Sequence, residues 1–211
     1  MTISIFKPLN HFVGIVSNEL IFSRIRLIIL LLLAGVGTGF SQEWNYARVV
    51  LIYGGDIPFN FNSINRYAQG LEIEEGTILG VTLADSTQLG HDLTGFDLNA
   101  RAFNGATEIL GEANSLDLDA IRIKADNYLG FGAGFISTGY QDLSSGWTTL
   151  CSFTDPGPVF TNLFWDTHQL VISYECGIPV SAGGNGTLLG EPPDYYRIEV
   201  ELELVPTGPG F

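Results

Sequence analysis

Toward the end of the chain, Tyr196, Ile198, Val200, Leu202 and Leu204 alternate with Arg197, Glu199, Glu201 and Glu203. A stretch with one apolar and one charged face is a half-buried strand and cannot be an amphipathic helix. Pro206 and Pro209 are expected to end it, because proline cannot donate to a ladder. The same period of two recurs upstream. Val49–Tyr53 is an apolar run stopping at Gly54-Gly55, and Ile57, Phe59 and Phe61 alternate with Asn60 and Asn62. Thr77–Leu83 is β-branched and apolar, and Phe96, Leu98, Ala100 and Ala102 alternate with Asp97, Asn99 and Arg101. Trp147, Thr149, Cys151 and Phe153 share one face, and His168, Leu170, Ile172, Tyr174 and Cys176 share another. Leu116 and Leu118 are out of phase with Ile121 and Ile123, which predicts a β-bulge near Ala120.

Turn-rich stretches such as Asp155-Pro156-Gly157-Pro158 and Gly183-Gly184-Asn185-Gly186 separate these runs, and no sustained 3.6-residue period occurs. Short strands with regular turn signals predict an all-β, antiparallel sandwich or barrel. The expected fold is a single immunoglobulin-like β-sandwich over residues 42–211, with a jelly-roll arrangement as its variant. Residues 1–41 are set apart as a leader and signal peptide. Arg24 and Arg26 precede a 14-residue apolar run, Leu27–Phe40, and small residues follow. That run is short of the roughly 20 residues needed to cross a bilayer and has the layout of a cleaved secretory signal. The expected cut lies before Gln42. The expected location is exported: periplasm, cell surface or extracellular space, with no membrane attachment after cleavage. Phe211 ends the chain as outer-membrane barrels end, but Pro206–Gly210 interrupts the alternation such a barrel needs.

Residues 42–211 hold 6 basic and 22 acidic side chains, a net charge of −16. That surface repels nucleic acid and anionic lipid. Cys151 and Cys176, the only cysteines, both lie in this part. An even count in an oxidising compartment predicts a disulfide, which would close a loop worth roughly 3.5 kcal/mol in the chain-entropy model.

The catalytic inventory is thin. His91 and His168 stand far apart, and no P-loop, GxGxxG, HExxH or nucleophile-elbow pattern occurs. Asp117 and Asp119 are read as projecting from one strand face, and Asp85 and Asp92 flank a loop. Such oxygen ligands suit calcium, although no EF-hand pattern is present. No other cofactor is expected. Trp44, Trp147, Trp165 and Tyr140, together with Tyr195-Tyr196, are candidates for stacking on sugar rings, since aromatic side chains pair an apolar face with a polar edge.

The ending Gly190-Glu-Pro-Pro-Asp-Tyr-Tyr-Arg-Ile-Glu-Val-Glu-Leu-Glu-Leu resembles the last strand of immunoglobulin-like pilin and fimbrial subunits, including the spore-coat-U-like secreted subunits. Val49–Ile64 is reminiscent of the early strands of exported bacterial surface sandwiches. The resemblance implies a non-catalytic subunit whose exposed edge accepts a neighbour's strand. The functional expectation is therefore a secreted structural or adhesive surface protein, pilin-like and not an enzyme, that self-associates through strand edges or meets surface glycans. A carbohydrate-binding module using surface aromatics is the alternative.

Overall fold

The computed structural model of the chain describes residues 46–84, 93–157 and 160–208. The leader, its apolar run, Trp44, Asp85, His91, Asp92 and Pro209 fall outside them. Among the described residues, eleven strands carry the fold. They are β1 (Tyr46–Tyr53), β2 (Leu71–Ala84), β3 (Gly95–Ala102), β4 (Glu108–Leu110), β5 (Ser115–Asp117) and β6 (Ile121–Leu129). After them come β7 (Phe135–Ser137), β8 (Gln141–Asp142), β9 (Thr148–Thr154), β10 (Gln169–Cys176) and β11 (Val200–Thr207). Every pairing is antiparallel. One sheet runs β1-β2-β10-β6-β8, the facing sheet runs β11-β3-β9-β7, and β4 with β5 forms a separate hairpin. The expected antiparallel β-sandwich is what the chain forms. Pairing is nested, β2 with β10, β3 with β9 and β6 with β8. A long hairpin rolled over on itself gives this order, as in the jelly-roll variant.

Alternation explains the core. Phe96, Leu98, Ala100 and Ala102 of β3 face Leu79, Val81 and Leu83 of β2, Ile121, Ile123 and Ala125 of β6, and Leu170 and Ile172 of β10 in one buried cluster. At one end of the sandwich, Phe131 fills the space between the sheets. Its ring centroid lies 5.6 Å from Phe96, 5.2 Å from Phe153 and 5.6 Å from Phe135. These are ordinary packing distances for aromatic pairs.

Four sequence expectations change on inspection. First, Ile57, Phe59 and Phe61 do alternate in burial, but residues 56–62 join no sheet. They form an extended strap into a short helix, α1 (Ile64–Gln69), which Ser63 caps and Gly70 ends. Second, the last strand begins at Val200 rather than Tyr196 and runs through Pro206, which stands opposite Phe96. β11 is an edge strand, so the missing N–H can face away from the ladder. Third, Ala120 is not at a bulge: a 3-10 turn, Leu118–Ala120, joins β5 to β6 in a different sheet. Asp117 and Asp119 are therefore on a hairpin and a turn, not one strand face. Fourth, the register of β3 and β9 shifts between Leu98/Asn99, Cys151 pairing with Leu98 and Thr149 with Asn99. Leu150 is the extra residue of this bulge. Cys151 and Phe153 stay inside, while Thr149 turns out and donates to Asn99 Oδ1 at 2.8 Å. Trp147 consequently leaves the face it was expected to share with Cys151 and Phe153 and is exposed.

The predicted disulfide does not form. Cys151 lies within β9, opposite Leu98 and Ser137. Cys176 is the last residue of β10 in the other sheet, opposite Leu71 and Ile121. Both face inward as expected, and both are free, buried thiols. The two lie in different sheets, in strands that do not pair with each other. Burial pushes both thiols up to about 12, so neither is an activated nucleophile. No described helix is long and apolar enough to cross a membrane.

Candidate functional site

The end of the sandwich opposite the Phe131 cluster is open. There the strap 54–61 and the segment 191–199 wall a cleft of about 730 Å³. Both segments are extended, yet neither belongs to a sheet, and Arg197 alone makes an isolated bridge, to Leu110. The strap leaves β1 at Gly54, whose φ is +76° and where a Cβ would run into the carbonyl oxygen of Gly76. Only glycine fits that departure. Arg66 of α1 donates to the Asn60 carbonyl at 2.8 Å and fixes the strap's far end, where Phe61 and Tyr67 rings pack 5.3 Å apart.

The cleft floor comes from the core: Ile121, Leu188, Val200 and Leu202, with the Cys176 thiol among them. Its polar groups are fixed. Thr77 Oγ1 donates to the Gly54 carbonyl at 2.6 Å, and the Tyr174 hydroxyl sits 2.9 Å from Thr77 Oγ1. Phe59, Tyr67, Tyr195 and Tyr196 supply rings, and Asp56, Glu191, Asp194 and Glu199 supply carboxylates. Tyr196 donates its hydroxyl to the Pro192 carbonyl at 2.8 Å, which locks that ring, whereas Tyr195 is 75% exposed. Burial first, then the Asp194 and Glu191 carboxylates and the Tyr67 phenol, raise the Tyr196 phenol above its ordinary value.

Asp194 has a different role from its neighbours. The turn of the β4–β5 hairpin aims three backbone N–H groups at it, from Glu112 (3.1 Å), Ala113 (2.8 Å) and Asn114 (2.8 Å). The Asn114 side-chain amide adds a fourth donor at 3.1 Å and the Tyr195 N–H a fifth at 2.7 Å. These donors, the Ala113 N–H first, hold its carboxyl far below 3.8. Asp194 therefore clips the 191–199 wall to the hairpin and is spent as a ligand group. Glu199 is paired with Arg197 at 3.4 Å. The Asp56 and Glu191 carboxylates have no hydrogen-bond or ion-pair partner among the described residues, although the Glu191 N–H donates to the Leu188 carbonyl at 3.1 Å.

The predicted ring platform is not assembled. Trp147 carries the Arg101 guanidinium 4.2 Å above its ring, and Arg101 is itself paired with Glu201 at 2.8 Å. Tyr140 lies on the outer face of the other sheet, under Lys124 (4.8 Å) and Arg122 (5.5 Å). It donates to Glu72 Oε1 at 2.7 Å, and burial, followed by Glu72, raises its phenol. Trp165 sits in a turn over Gly80 and Ile52, half exposed. These three rings occupy separate places, and cations cover two of them. Arg122 is the centre of its own network, with Glu175 at 3.0 Å, Asp142 at 3.4 Å and the Gly183 carbonyl at 2.6 Å. Its Nε has ion-pair distance to Asp142 without hydrogen-bond geometry. Asp117 and Asp119 are exposed, and no three His, Cys, Asp or Glu side chains among the described residues could hold a metal.

Of the residues singled out in the sequence, Tyr195, Tyr196, Phe59 and Cys176 meet in the cleft, while Tyr140, Trp147 and Trp165 do not. Sequence reasoning missed Asp194 and the strap's role. Pro58 and Pro192-Pro193, within otherwise alternating stretches, were the signals that pairing would fail there. The chain matches no family model and no curated protein, so the cleft is read from its own residues.

Proposed function

We propose that this chain is an exported, non-catalytic surface protein of adhesive type, and that it works by binding at the cleft between the strap 54–61 and the segment 191–199. The observation that carries the reading is this failure of pairing at one end: two alternating segments stand apart and enclose about 730 Å³, within the size range of ligand sites. The cleft's chemistry supports binding over catalysis. Its thiol is buried with a raised pKa, one carboxylate is spent in the hairpin turn and another is paired with arginine. Export rests on Arg24, Arg26 and the apolar run that follows.

A second reading, a pilin-like subunit, is favoured by the edge strands: β1 and β11, eight residues each, end their sheets and approach one another along one flank. Edges of that length are templates for another chain. Light scattering with size-exclusion chromatography over a range of concentrations separates the two. A monomer at every concentration, recovered in surface or secreted fractions, is expected for the adhesive module. Concentration-dependent polymers would transfer the proposal to the subunit. Recovery in the cytoplasm alone would remove both.

A further inference from the structure

The cleft's occupant follows from its walls, and this step rests on the binding role proposed above. We infer that the cleft takes a short, uncharged oligosaccharide, with sugar rings against Tyr195, Tyr196 and Phe59 and hydroxyls toward Asp56 and Glu191. Three features select this class. Charge comes first: the charged lining is Asp56, Glu191, Asp194 and Glu199 against Arg197 alone, and that arginine is paired with Glu199. Such a wall repels phosphates, anionic glycans and acidic peptides. It also repels a second copy of this chain, whose net charge is −16 over residues 42–211.

Backbone chemistry comes second. An inserted peptide strand would need ladder partners on both sides, yet Pro58 interrupts the strap and Pro192-Pro193 the facing segment. Each proline removes a donor where the added strand would look for one. A ligand that does not depend on a regular backbone ladder meets no such obstacle.

The third feature is the mixture of groups. A sugar ring has an apolar face for an aromatic side chain and a rim of hydroxyls for polar partners. In the cleft, the Tyr196 ring is already locked by its bond to the Pro192 carbonyl, and Tyr195 stands beside it, exposed. The Asp56 and Glu191 carboxylates lack partners among the described residues and are strong acceptors for hydroxyl hydrogens. The same rings that could bind a sugar elsewhere, Tyr140 and Trp147, are under cations.

The test titrates the protein with uncharged tri- to hexasaccharides of β-linked glucose, xylose, N-acetylglucosamine and mannose, by calorimetry and by alkylation of Cys176. Binding of at least one probe is expected, with saturation slowing Cys176 alkylation. Tyr195→Ala should weaken binding about tenfold or more, and Asp56→Asn about threefold, while Trp147→Ala changes it less than about twofold. Tyr195 is exposed, so its removal leaves folding intact, which circular dichroism checks. Binding that is lost in Trp147→Ala and kept in Tyr195→Ala would overturn the site. No binding, but Cys176 protection that grows with protein concentration, would overturn the saccharide class and leave a binding role for the cleft. Neither binding nor protection would overturn both.

Discussion

The two ends of the sandwich carry the same alternating pattern and end differently. At the closed end, Phe96 and Phe153 sit in paired strands, β3 and β9, and Phe131 enters from a loop to fill the gap between sheets. At the open end, Ile57, Phe59 and Phe61 alternate just as regularly, as do Tyr196 and Ile198, yet these segments join no sheet. Period two reports which face of an extended chain is apolar. It does not report whether a partner strand accepts the edge. Proline decides against the ladder at Pro58 and Pro192-Pro193. At Pro206 an edge position tolerates it.

The largest expected difference between the ends is in stability. Phe96 is fully buried, so Phe96→Ala should cost about 3–5 kcal/mol of unfolding free energy in a denaturant titration. Phe59 is half-buried on the strap, so Phe59→Ala should cost about 1–2 kcal/mol. Equal costs would mean that the strap is as much a part of the core as β3, and the contrast between the ends would fail.

Next is the clip that holds the open wall. Asp194→Ala deprives the 191–199 segment of its bonds to Glu112, Ala113 and Asn114. The expected result is a rise of about tenfold or more in Cys176 alkylation, with Cys151 unchanged, because only Cys176 lines the cleft. Cys151 serves as the internal control, being fully buried within the paired part of β9. Parallel acceleration of both thiols would indicate global unfolding and would exclude a local clip. Unchanged Cys176 would show that the Arg197–Leu110 bridge and the apolar floor hold the wall unaided.

A smaller effect concerns the polar contact under the strap. Thr77 is almost fully buried, and its hydroxyl joins the Gly54 carbonyl to Tyr174. Thr77→Val keeps the shape and leaves the Gly54 carbonyl without this donor, a loss of about 1–2 kcal/mol by chemical denaturation. Tyr174→Phe, which leaves the Thr77–Gly54 bond in place, should cost less. The reverse order would place the strap's anchor on the tyrosine.

Much of this architecture was legible in the sequence, and what was not has a common cause. The strands β1, β3 and β10, the Thr77–Leu83 half of β2 and the first part of β11, Val200–Leu204, lie where alternation put them, and Cys151 and Cys176 face inward as their neighbours predict. Register between distant strands is not a local property. The extra residue Leu150 exists only relative to β3, yet it moves Trp147 from core to surface. The cations over Trp147 and Tyr140 come from β3 and β6, neither adjacent in sequence to the ring it covers. The separation of the cysteines likewise depends on sheet order. The helix α1 was overlooked for a local reason: six residues are too few to display a period, and only the cap Ser63 and the stop Gly70 mark it.

The smallest expected effect is in the acid titration, and it separates the carboxylates that clip loops from the one packed against the paired sheet. Asp194 at the open end and Asp155, which accepts from the Thr161 and Gly157 N–H groups, are both held below 3.8 by backbone donors. Their contributions are present above about pH 3.8 and are lost as pH falls from there toward the depressed folded values. Glu175 has the opposite sign. Burial raises its carboxyl above 4.5, with Glu72 adding to the rise while Arg122 and Lys124 oppose it. The folded state thus takes up this proton more readily, so its contribution is full below about pH 4.5 and is lost as pH rises through the raised value. Unfolding free energies measured from pH 7 to pH 2 should show a shallow gain on the way down, which Glu175→Gln flattens, and a decline in the most acidic range, which Asp194→Asn and Asp155→Asn each reduce. A gain that survives Glu175→Gln would assign the upper limb to another carboxylate and remove the burial of Glu175 as its cause. A decline unaffected by Asp194→Asn would mean that the hairpin turn binds its carboxylate no better in the folded chain than water does, and the wall of the cleft would have to be held by its apolar floor.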